Sequence, residues 1–179
     1  TFIGPRIRFL TDTAIAVTGG DLGPLVDDQP MPCWQSVAVA RGSVLSFAGP
    51  QDGIRAYLAV AGGIDVPVVL GSRSTYIRSK LGGLAGRALV PGDRLSMSTR
   101  GHLPRVLGRA LPVQNVPPHG NSHVLRVVLG PQDNAFTDRG LETFLSSTYT
   151  VTPAFDRMGS RLEGPTIEHK MGADVISDG

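Results

Sequence analysis

The residues whose types best suit chemistry lie together in one short stretch, Gly71-Ser72-Arg73-Ser74-Thr75. The hydroxyls of Ser72, Ser74 and Thr75 and the planar guanidinium of Arg73 can hydrogen-bond an anion, and Gly71 lets backbone N–H groups converge. Such a set suits a carboxylate, a phosphate or the oxyanion of a ureido or amide group. The residue types leave one alternative open, in which the stretch is a polar turn whose hydroxyls bond their own backbone.

A second candidate anion clamp consists of Arg157 and Arg161, with Gly159 between them. Two guanidinium groups at this spacing can hold a carboxylate or a phosphate. They can equally pair with Asp156 and Glu163 in a structural network of ion pairs. Both interpretations fit the sequence.

Gln132 follows Gly130-Pro131 at the end of a predicted strand. A carboxamide in such a place can both donate to and accept from an amide-like substrate. The alternative is an ordinary turn residue. Gln132 therefore joins the arginines as a candidate substrate-binding residue.

Other catalytic and cofactor motifs are missing from the sequence. The histidines are scattered without metal-ligand spacing, so no metal site is predicted. The glycine run at 82–86 lacks the strand and helix of a dinucleotide-binding motif, and neither a Walker loop nor a Gly-x-Ser-x-Gly elbow occurs. Cys33 beside Trp34 is interpreted as a small buried hydrophobic residue rather than a nucleophile.

The composition indicates one large or two small globular domains. The chain has 179 residues and a net charge of +2, so no nucleic-acid partner is expected. Its apolar runs are far shorter than the roughly 20 residues that cross a bilayer, and the N-terminus lacks a signal-peptide pattern. A cytoplasmic protein without a membrane partner is therefore predicted.

The elements that must position the candidate site are mainly β-strands, with few short helices. Glycine and proline, at 23 and 14 residues, recur between short β-branched runs, which is typical of an all-β sandwich or barrel. One short helix is predicted after the capping pair Thr137-Asp138, and Pro91-Gly92-Asp93 is predicted to turn. Strands are predicted at 6–9, 13–17, 37–40, 44–47, 54–60, 94–97, 124–129 and 149–152, with 37–40 and 44–47 forming a hairpin.

Prolines and glycines between residues 104 and 122 predict a linker, which separates a segment 1–103 from a segment 123–179. Gly4-Pro5 near the start of the chain recurs as Gly164-Pro165 near its end, each followed two residues after the proline by isoleucine. The echo indicates either two structurally similar halves or chance among glycine-rich turns.

Three parts of the chain closely resemble the family of allophanate hydrolase subunit 2, also known as the biotin-dependent carboxyltransferase family or the family of the 5-oxoprolinase C subunit. They are residues 53–95, "GPQDNAF" at 130–136 and "FDRMGSRLEGP" at 155–165. The most specific pieces are Leu70-Gly71-Ser72-Arg73-Ser74-Thr75, Gly130-Pro131-Gln132 and the stretch 156–162. The resemblance implies a cyclophilin-like β-barrel in two related halves, with an N-terminal part of the first half and a C-terminal part of the second missing from this chain.

The resemblance also implies an activity. Members act in a heteromeric complex beside a subunit 1 relative, on a urea, amide or lactam substrate. The complex is either an ATP-dependent hydrolase of the 5-oxoprolinase type or the biotin-dependent carboxyltransferase of urea carboxylase and urea amidolyase, and this fragment alone is expected to be inactive. Lys170-Met171 lacks the first methionine of a biotin-attachment site. ATP or carboxybiotin would therefore come from partner subunits, with no cofactor bound covalently here.

Residue roles follow from chemistry placed on the family motifs. Arg73 and Ser72 are the candidate catalytic residues. The candidate substrate-binding residues are Ser74, Thr75, Gln132, Arg157 and Arg161. The alternative function is a regulatory binding protein without chemistry, which pairs with a subunit 1 relative and antagonises an inhibitor of a histidine kinase.

Overall fold

The computed structural model describes residues 4–98, 107–118, 120, 122–155 and 159–172. It divides into two compact units, Thr1–His123 and Val124–Gly179. Strands make up most of the regular structure, which confirms the prediction of a mainly β protein with few short helices. Among the described residues, no helix combines the length and apolar character needed to cross a membrane.

The first unit contains two antiparallel sheets. The first sheet has the strand order β1-β6-β3-β4 and the second has the order β5-β2-β7. The described strands form open sheets rather than a closed barrel, so the cyclophilin-like barrel stays a prediction. The strands are β1 (Ile7–Arg8), β2 (Thr13–Asp21), β3 (Pro24–Val26), β4 (Gln29–Pro30), β5 (Val37–Val39), β6 (Val44–Phe47) and β7 (Asp52–Val60).

The core of this unit forms around β2 and β6. Ile15, Val17 and Leu45 are almost completely buried, and Phe9, Met31 and Val39 complete the cluster of buried residues. Side chains alternate between the two faces of a strand, so every second residue of β2 can enter this core. The alternation in the sequence predicted this strand correctly.

The predicted hairpin between 37–40 and 44–47 is wrong in its pairing. Both strands form, but β5 pairs with β2 while β6 pairs with β1 and β3. The backbone at Phe9 accounts for the difference, because its N–H donates to the Ser43 carbonyl at 2.9 Å and its carbonyl accepts from the Gly42 N–H at 2.7 Å. The backbone of Phe9 therefore forms hydrogen bonds with the turn at 40–43. At this turn the chain passes from one sheet into the other.

Two other predicted strands do not form in the described structure. Of residues 94–97, only Met97 makes a bridge, to Ile64. Residues 124–129 form no strand, and Val124 and Val128 are more than nine-tenths exposed. Alternation of apolar and polar residues indicates a run that suits a strand, but a strand also needs a neighbouring backbone with which to pair. In the described part of the chain, no backbone pairs with residues 124–129.

Part of the predicted linker is bound to the first unit. The Ser36 N–H donates to the Arg109 carbonyl at 2.8 Å, and the Leu111 N–H donates to the Trp34 carbonyl at 2.9 Å. A single 3₁₀ turn follows at Val113–Asn115. Residues 109–111 are therefore anchored by backbone hydrogen bonds rather than free.

The second unit contains one helix and one strand pair. The helix α1 (Asp138–Ser146) begins where predicted, since the Thr137 hydroxyl accepts from the Gly140 N–H at 3.0 Å. It is followed by β8 (Thr150–Phe155) and β9 (Ser160–Glu163), which pair antiparallel.

The two Gly-Pro sequences share one local feature. A Cβ on Gly4 would overlap the ring of Phe47, and a Cβ on Gly164 would overlap the ring of Tyr149. An aromatic ring therefore lies against the glycine in both places. This shared contact is a structural counterpart of the echo in the sequence.

Candidate functional site

A cleft of about 950 Å³ opens in the first unit beyond the end of β7. Its wall combines polar residues with apolar side chains. The lining residues belong to three parts of the chain. The first part is 62–66, the second includes 73–75, 83, 84 and 89, and the third includes 95, 97 and 98.

One part of the cleft lining follows the turn that ends β7 and includes a short backbone pairing. Gly62 and Gly63 adopt φ values of 83° and 76°, which favour glycine, and the chain turns sharply there. The Asp65 N–H then donates to the Ser96 carbonyl at 2.8 Å, and the Ser98 N–H donates to the Gly63 carbonyl at 3.1 Å. These bonds fix the backbone on which Asp65 stands.

A tight turn precedes Arg73, which also lines the cleft. Val69 and Ser72 exchange backbone hydrogen bonds of 2.8 and 3.0 Å, and the central residues Leu70 and Gly71 have φ values of 49° and 76°. Two positive φ values at the central positions are typical of a type I′ turn. The chain leaves the turn at Arg73, which lines the cleft.

Arg73 is held through one nitrogen of its guanidinium, Nη1. Nη1 donates to Asp65 Oδ1 at 3.0 Å and to the Val66 carbonyl at 2.6 Å. Across the described residues, the hydrogen bonds of Arg73 come from Nη1 alone. The side chain is half exposed, so its other N–H groups are available to a ligand in the cleft.

The three hydroxyl residues of the motif divide into two groups. Ser74 and Thr75 line the cleft beside Arg73. The Ser72 hydroxyl accepts from the Ser74 N–H at 3.1 Å and does not belong to the lining. This hydrogen bond is the local backbone contact of the alternative interpretation of the motif, and it leaves the Ser72 O–H as a donor.

Glycines bring a second loop against Ser74 and Thr75. A Cβ on Gly82 would overlap the Ser74 carbonyl, and a Cβ on Gly83 would overlap Thr75 Oγ1. Both glycines also have positive φ, at 67° and 55°. The glycine run is therefore a close-packing device that sets the position of Thr75 and places Leu84 in the cleft wall.

An ion pair closes the loop that carries the remaining apolar wall. Arg87 and Asp93 form two parallel hydrogen bonds, and the Val90 N–H donates to Asp93 Oδ2 at 2.8 Å. The Arg87 guanidinium and the Val90 N–H lower the pKa of the Asp93 carboxyl to about 2. The predicted turn at Pro91-Gly92-Asp93 is confirmed within this loop.

The remaining predicted site residues belong to the second unit or lie outside the described residues. Gln132 precedes the 3₁₀ turn Asp133–Ala135. Arg161 lies in β9 and is exposed. Arg157 falls outside the described part of the chain. The structure thus brings Arg73, Ser74 and Thr75 together in one cleft that the first unit lines by itself.

Asp65 and Ser98 are polar lining residues that the sequence did not reveal. Asp65 stands eight residues before Arg73 and binds it, but the residues between them include a type I′ turn that no simple spacing rule describes. Within the described ranges, no group of three or more His, Cys, Asp or Glu side chains could hold a metal ion.

Comparison with known proteins gives a consistent result. Residues 1–179 match the family model described as carboxyltransferase domain, subdomain A and B. The chain is 37% identical over 171 residues to urea amidolyase of Saccharomyces cerevisiae, covering 92% of this chain and 9% of that protein. It is 34% identical over 173 residues to the C subunit of 5-oxoprolinase from Escherichia coli, covering 97% of this chain and 54% of that protein.

Solved structures agree with these relatives. The structure of Kluyveromyces lactis urea carboxylase superimposes with a TM-score of 0.81 at 33% identity, over 94% of this chain and 16% of that chain. The chain thus spans about half the length of the bacterial 5-oxoprolinase C subunit and a small part of the yeast proteins. The resemblance in the sequence is confirmed, and because the family model matches from end to end, the chain belongs to the carboxyltransferase domain family of subdomains A and B.

Proposed function

We propose that this chain is part of a multi-subunit enzyme that acts on a urea, amide or lactam, and that the cleft at Arg73 binds the substrate. The observation that supports the proposal is the convergence of Arg73, Ser74 and Thr75 in one cleft of about 950 Å³. This volume lies in the range of small-molecule sites. The relatives, urea amidolyase and the C subunit of 5-oxoprolinase, support the choice of substrate class.

The chemistry that these substrates share explains why a guanidinium suits them. Ureas, amides and lactams all carry a carbonyl group bonded to nitrogen. In lactam opening, negative charge develops on the carbonyl oxygen as a nucleophile attacks the carbonyl carbon. In carboxyl transfer, it would develop on the ureido oxygen of carboxybiotin as the N–CO₂ bond breaks and the carboxyl group passes to the acceptor nitrogen. Donors aimed at that oxygen bind the transition state more tightly than the ground state. In this proposal the charged N–H groups of Arg73 stabilise the oxygen, while the Ser74 and Thr75 hydroxyls orient the substrate.

The apolar part of the wall has a separate role. Leu84, Leu89 and Leu95 line the cleft beside the polar residues. Leu89 and Leu95 are exposed, and they provide a surface on which the flat face of a small ring can pack. The bound ring itself would then displace water from the reacting oxygen, and a hydrogen bond to charge is stronger where water is excluded.

The cofactor predictions fit the same donor set. A carboxylated ureido ring has a flat apolar body and an anionic end, which match the leucine wall and the available N–H groups of Arg73. Carboxybiotin delivered by another domain would supply the carboxyl group, and in a lactam-opening enzyme ATP bound by a partner subunit would supply the energy. No residue of this chain is proposed to bind either cofactor covalently.

The remaining parts of the proposal concern residues and partners beyond the cleft. Gln132 orients the accepting nitrogen, Arg157 or Arg161 holds a carboxylate, and Ser72 supplies a further catalytic hydroxyl donor beside Arg73. The chain works in the cytoplasm beside a subunit 1 relative, and the complete protein closes its strands into a cyclophilin-like barrel in each half.

Substrate turnover by the complete complex tests the proposal. The full-length protein is co-purified with its partner subunits and assayed with ATP in two ways, one for each reaction. Carboxyl transfer is measured as incorporation of labelled bicarbonate in the presence of urea, and lactam opening is measured as release of a primary amine from 5-oxoproline. We expect turnover of one of the two substrates.

Failure with both substrates would contradict the enzymatic proposal. A complex that assembles normally but turns over neither compound would support the regulatory alternative. Turnover that is unchanged after Arg73→Ala would instead keep the enzyme class and reject the cleft as its site.

A further inference from the structure

We propose that Asp65 is a positioning residue, which holds Arg73 by one corner of the guanidinium so that the rest of the group faces a carbonyl or carboxylate oxygen. The inference rests on the proposed function, because it concerns the same cleft. It adds a residue that acts through Arg73 rather than on the substrate.

The contact geometry supports this role. Asp65 Oδ1 and the Val66 carbonyl both accept from Nη1 of Arg73, at 3.0 and 2.6 Å. Two acceptors on one nitrogen fix both the position and the plane of a guanidinium, since all five of its N–H groups lie in that plane. The N–H groups on Nη2 and Nε have no acceptor among the described residues.

Asp65 is itself fixed, which a positioning residue requires. Its N–H donates to the Ser96 carbonyl at 2.8 Å, and the adjoining bridge between Ile64 and Met97 continues this pairing. The acceptor is therefore attached to a paired backbone in the cleft lining. Its partner Arg73 follows directly after a hydrogen-bonded type I′ turn.

The exposure of the pair argues against a role in folding. The Arg73 and Asp65 side chains are 52% and 58% exposed. Exposed ion pairs contribute little to folding stability, because water screens the charges and the side chains lose freedom. Holding a long side chain in one orientation does, however, remove an ordering cost from ligand binding.

The test uses the full-length protein in its complex, with Asp65→Ala, Asp65→Asn and the matched control Asp12→Ala. Asp12 is also an exposed acid, and it accepts from the Arg41 N–H outside the cleft lining. With whichever of urea and 5-oxoproline the complex turns over, we expect Asp65→Ala to lower kcat on the order of tenfold through misplacement of Arg73. Asp65→Asn should recover most of the loss, because its carbonyl oxygen can still accept from Nη1.

A double mutant separates action through Arg73 from other effects. If Asp65 acts through Arg73, Asp65→Ala lowers kcat no further in an Arg73→Ala background. Equal and additive losses in both backgrounds would overturn the inference. A loss in Arg73→Ala without any loss in Asp65→Ala would overturn it too, while leaving the proposed function intact.

Side-chain mobility gives a readout that does not need turnover. In the full-length protein labelled with ¹⁵N-arginine, Arg73→Lys identifies the Nε–H signal of Arg73. We expect Asp65→Ala to lower its order parameter to below about 0.6, the flexible range, while Asp12→Ala leaves it unchanged. An Arg73 signal of equal mobility in Asp65→Ala and the wild type would overturn the positioning role, even if the proposed function failed as well.

Discussion

Arg87 donates two parallel hydrogen bonds to Asp93, from Nη1 to Oδ2 at 2.7 Å and from Nη2 to Oδ1 at 2.8 Å. The same carboxylate accepts from the Val90 N–H at 2.8 Å. The Asp93 side chain therefore joins the two ends of the loop 87–93 and accepts a hydrogen bond from the loop backbone at Val90. Leu89 inside the loop and Leu95 just after it line the cleft, so this pair supports the apolar wall.

The first prediction concerns the pH dependence of folding. The hydrogen bonds from Arg87 and Val90 lower the Asp93 pKa from 3.8 to about 2. A group with a depressed pKa stabilises the folded state above its unfolded pKa, and this contribution is lost as the pH falls through the folded pKa. We expect Asp93→Asn to lower the melting temperature at pH 6, and the difference from the wild type to shrink between about pH 4 and pH 2.

Thermal unfolding followed by circular dichroism at several pH values measures this difference. Asp12→Asn is the matched control. The Asp12 carboxylate accepts from the backbone N–H of Arg41, whereas the Asp93 carboxylate accepts from a guanidinium. The Asp12→Asn variant should keep the loss of stability that protonation of Asp93 causes at acid pH. A gap between Asp93→Asn and the wild type that stays constant down to pH 2 would contradict the assigned pKa.

The second prediction concerns the contact between Gly83 and Thr75. An alanine at 83 would place its Cβ on Thr75 Oγ1 and would also need the positive φ of 55°. We expect Gly83→Ala to destabilise the protein by about 2 to 4 kcal/mol, from backbone strain and overpacking together. The variant should also displace Thr75 and weaken substrate binding.

Gly108→Ala is the control for the backbone part of this effect. Its φ is +72°, but no heavy atom of the described residues lies within 4 Å of the added Cβ. It should cost about 1 to 2 kcal/mol, from the left-handed conformation alone. Adding Thr75→Ala to Gly83→Ala should restore part of the stability, and strictly additive losses in chemical denaturation would show that the two residues do not interact.

The third prediction concerns the reactivity of Cys33. Burial raises the pKa of the Cys33 thiol, and the nearby negative charge of Asp21 raises it further. The Sγ atom lies 3.8 Å from Asp21 Oδ1. At pH 8 we expect iodoacetamide to alkylate Cys33 more slowly than a free thiol in solution, because only the thiolate reacts.

Asp21→Asn should increase the alkylation rate several-fold by removing the negative charge. The asparagine oxygen can still accept from the Gly23 N–H, which donates to Asp21 Oδ1 at 2.7 Å, so the turn is kept. Asp12→Asn provides the comparison with a distant charge. An unchanged rate in Asp21→Asn at pH 8 would show that burial alone controls the thiol.

Local patterns in the sequence predicted the elements better than their partners. Alternation identified β2 because Ile15 and Val17 enter the core, and the capping hydroxyl of Thr137 identified the start of α1. Pairing depends on contacts that sequence spacing does not encode, such as the hydrogen bonds of Phe9 that separate β5 from β6. For that reason the strands at 37–40 and 44–47 were correct while their hairpin was wrong.

The same distinction holds for the candidate site. Residue chemistry pointed to Arg73, Ser74 and Thr75, which the structure brings together. It could not reveal Asp65, because its role depends on the backbone pairing between 63–65 and 96–98. Nor could it show that the Ser72 hydroxyl accepts from the Ser74 N–H, since a hydroxyl can bond backbone or ligand equally well.

The last prediction concerns Arg73 itself, in the full-length complex. Arg73→Ala should reduce turnover on the order of a hundredfold, as loss of one oxyanion donor can do. Arg73→Lys keeps the charge but not the planar group of donors, so its turnover should lie between that of Arg73→Ala and the wild type. The melting temperature should stay nearly unchanged in both variants, because the exposed pair with Asp65 contributes at most about 1 kcal/mol. Arg41→Ala, which removes an exposed arginine outside the cleft lining, should match the wild type in both measurements. A drop in stability that parallels the drop in turnover would instead identify Arg73 as a structural residue, because misfolded protein would then account for the lost activity.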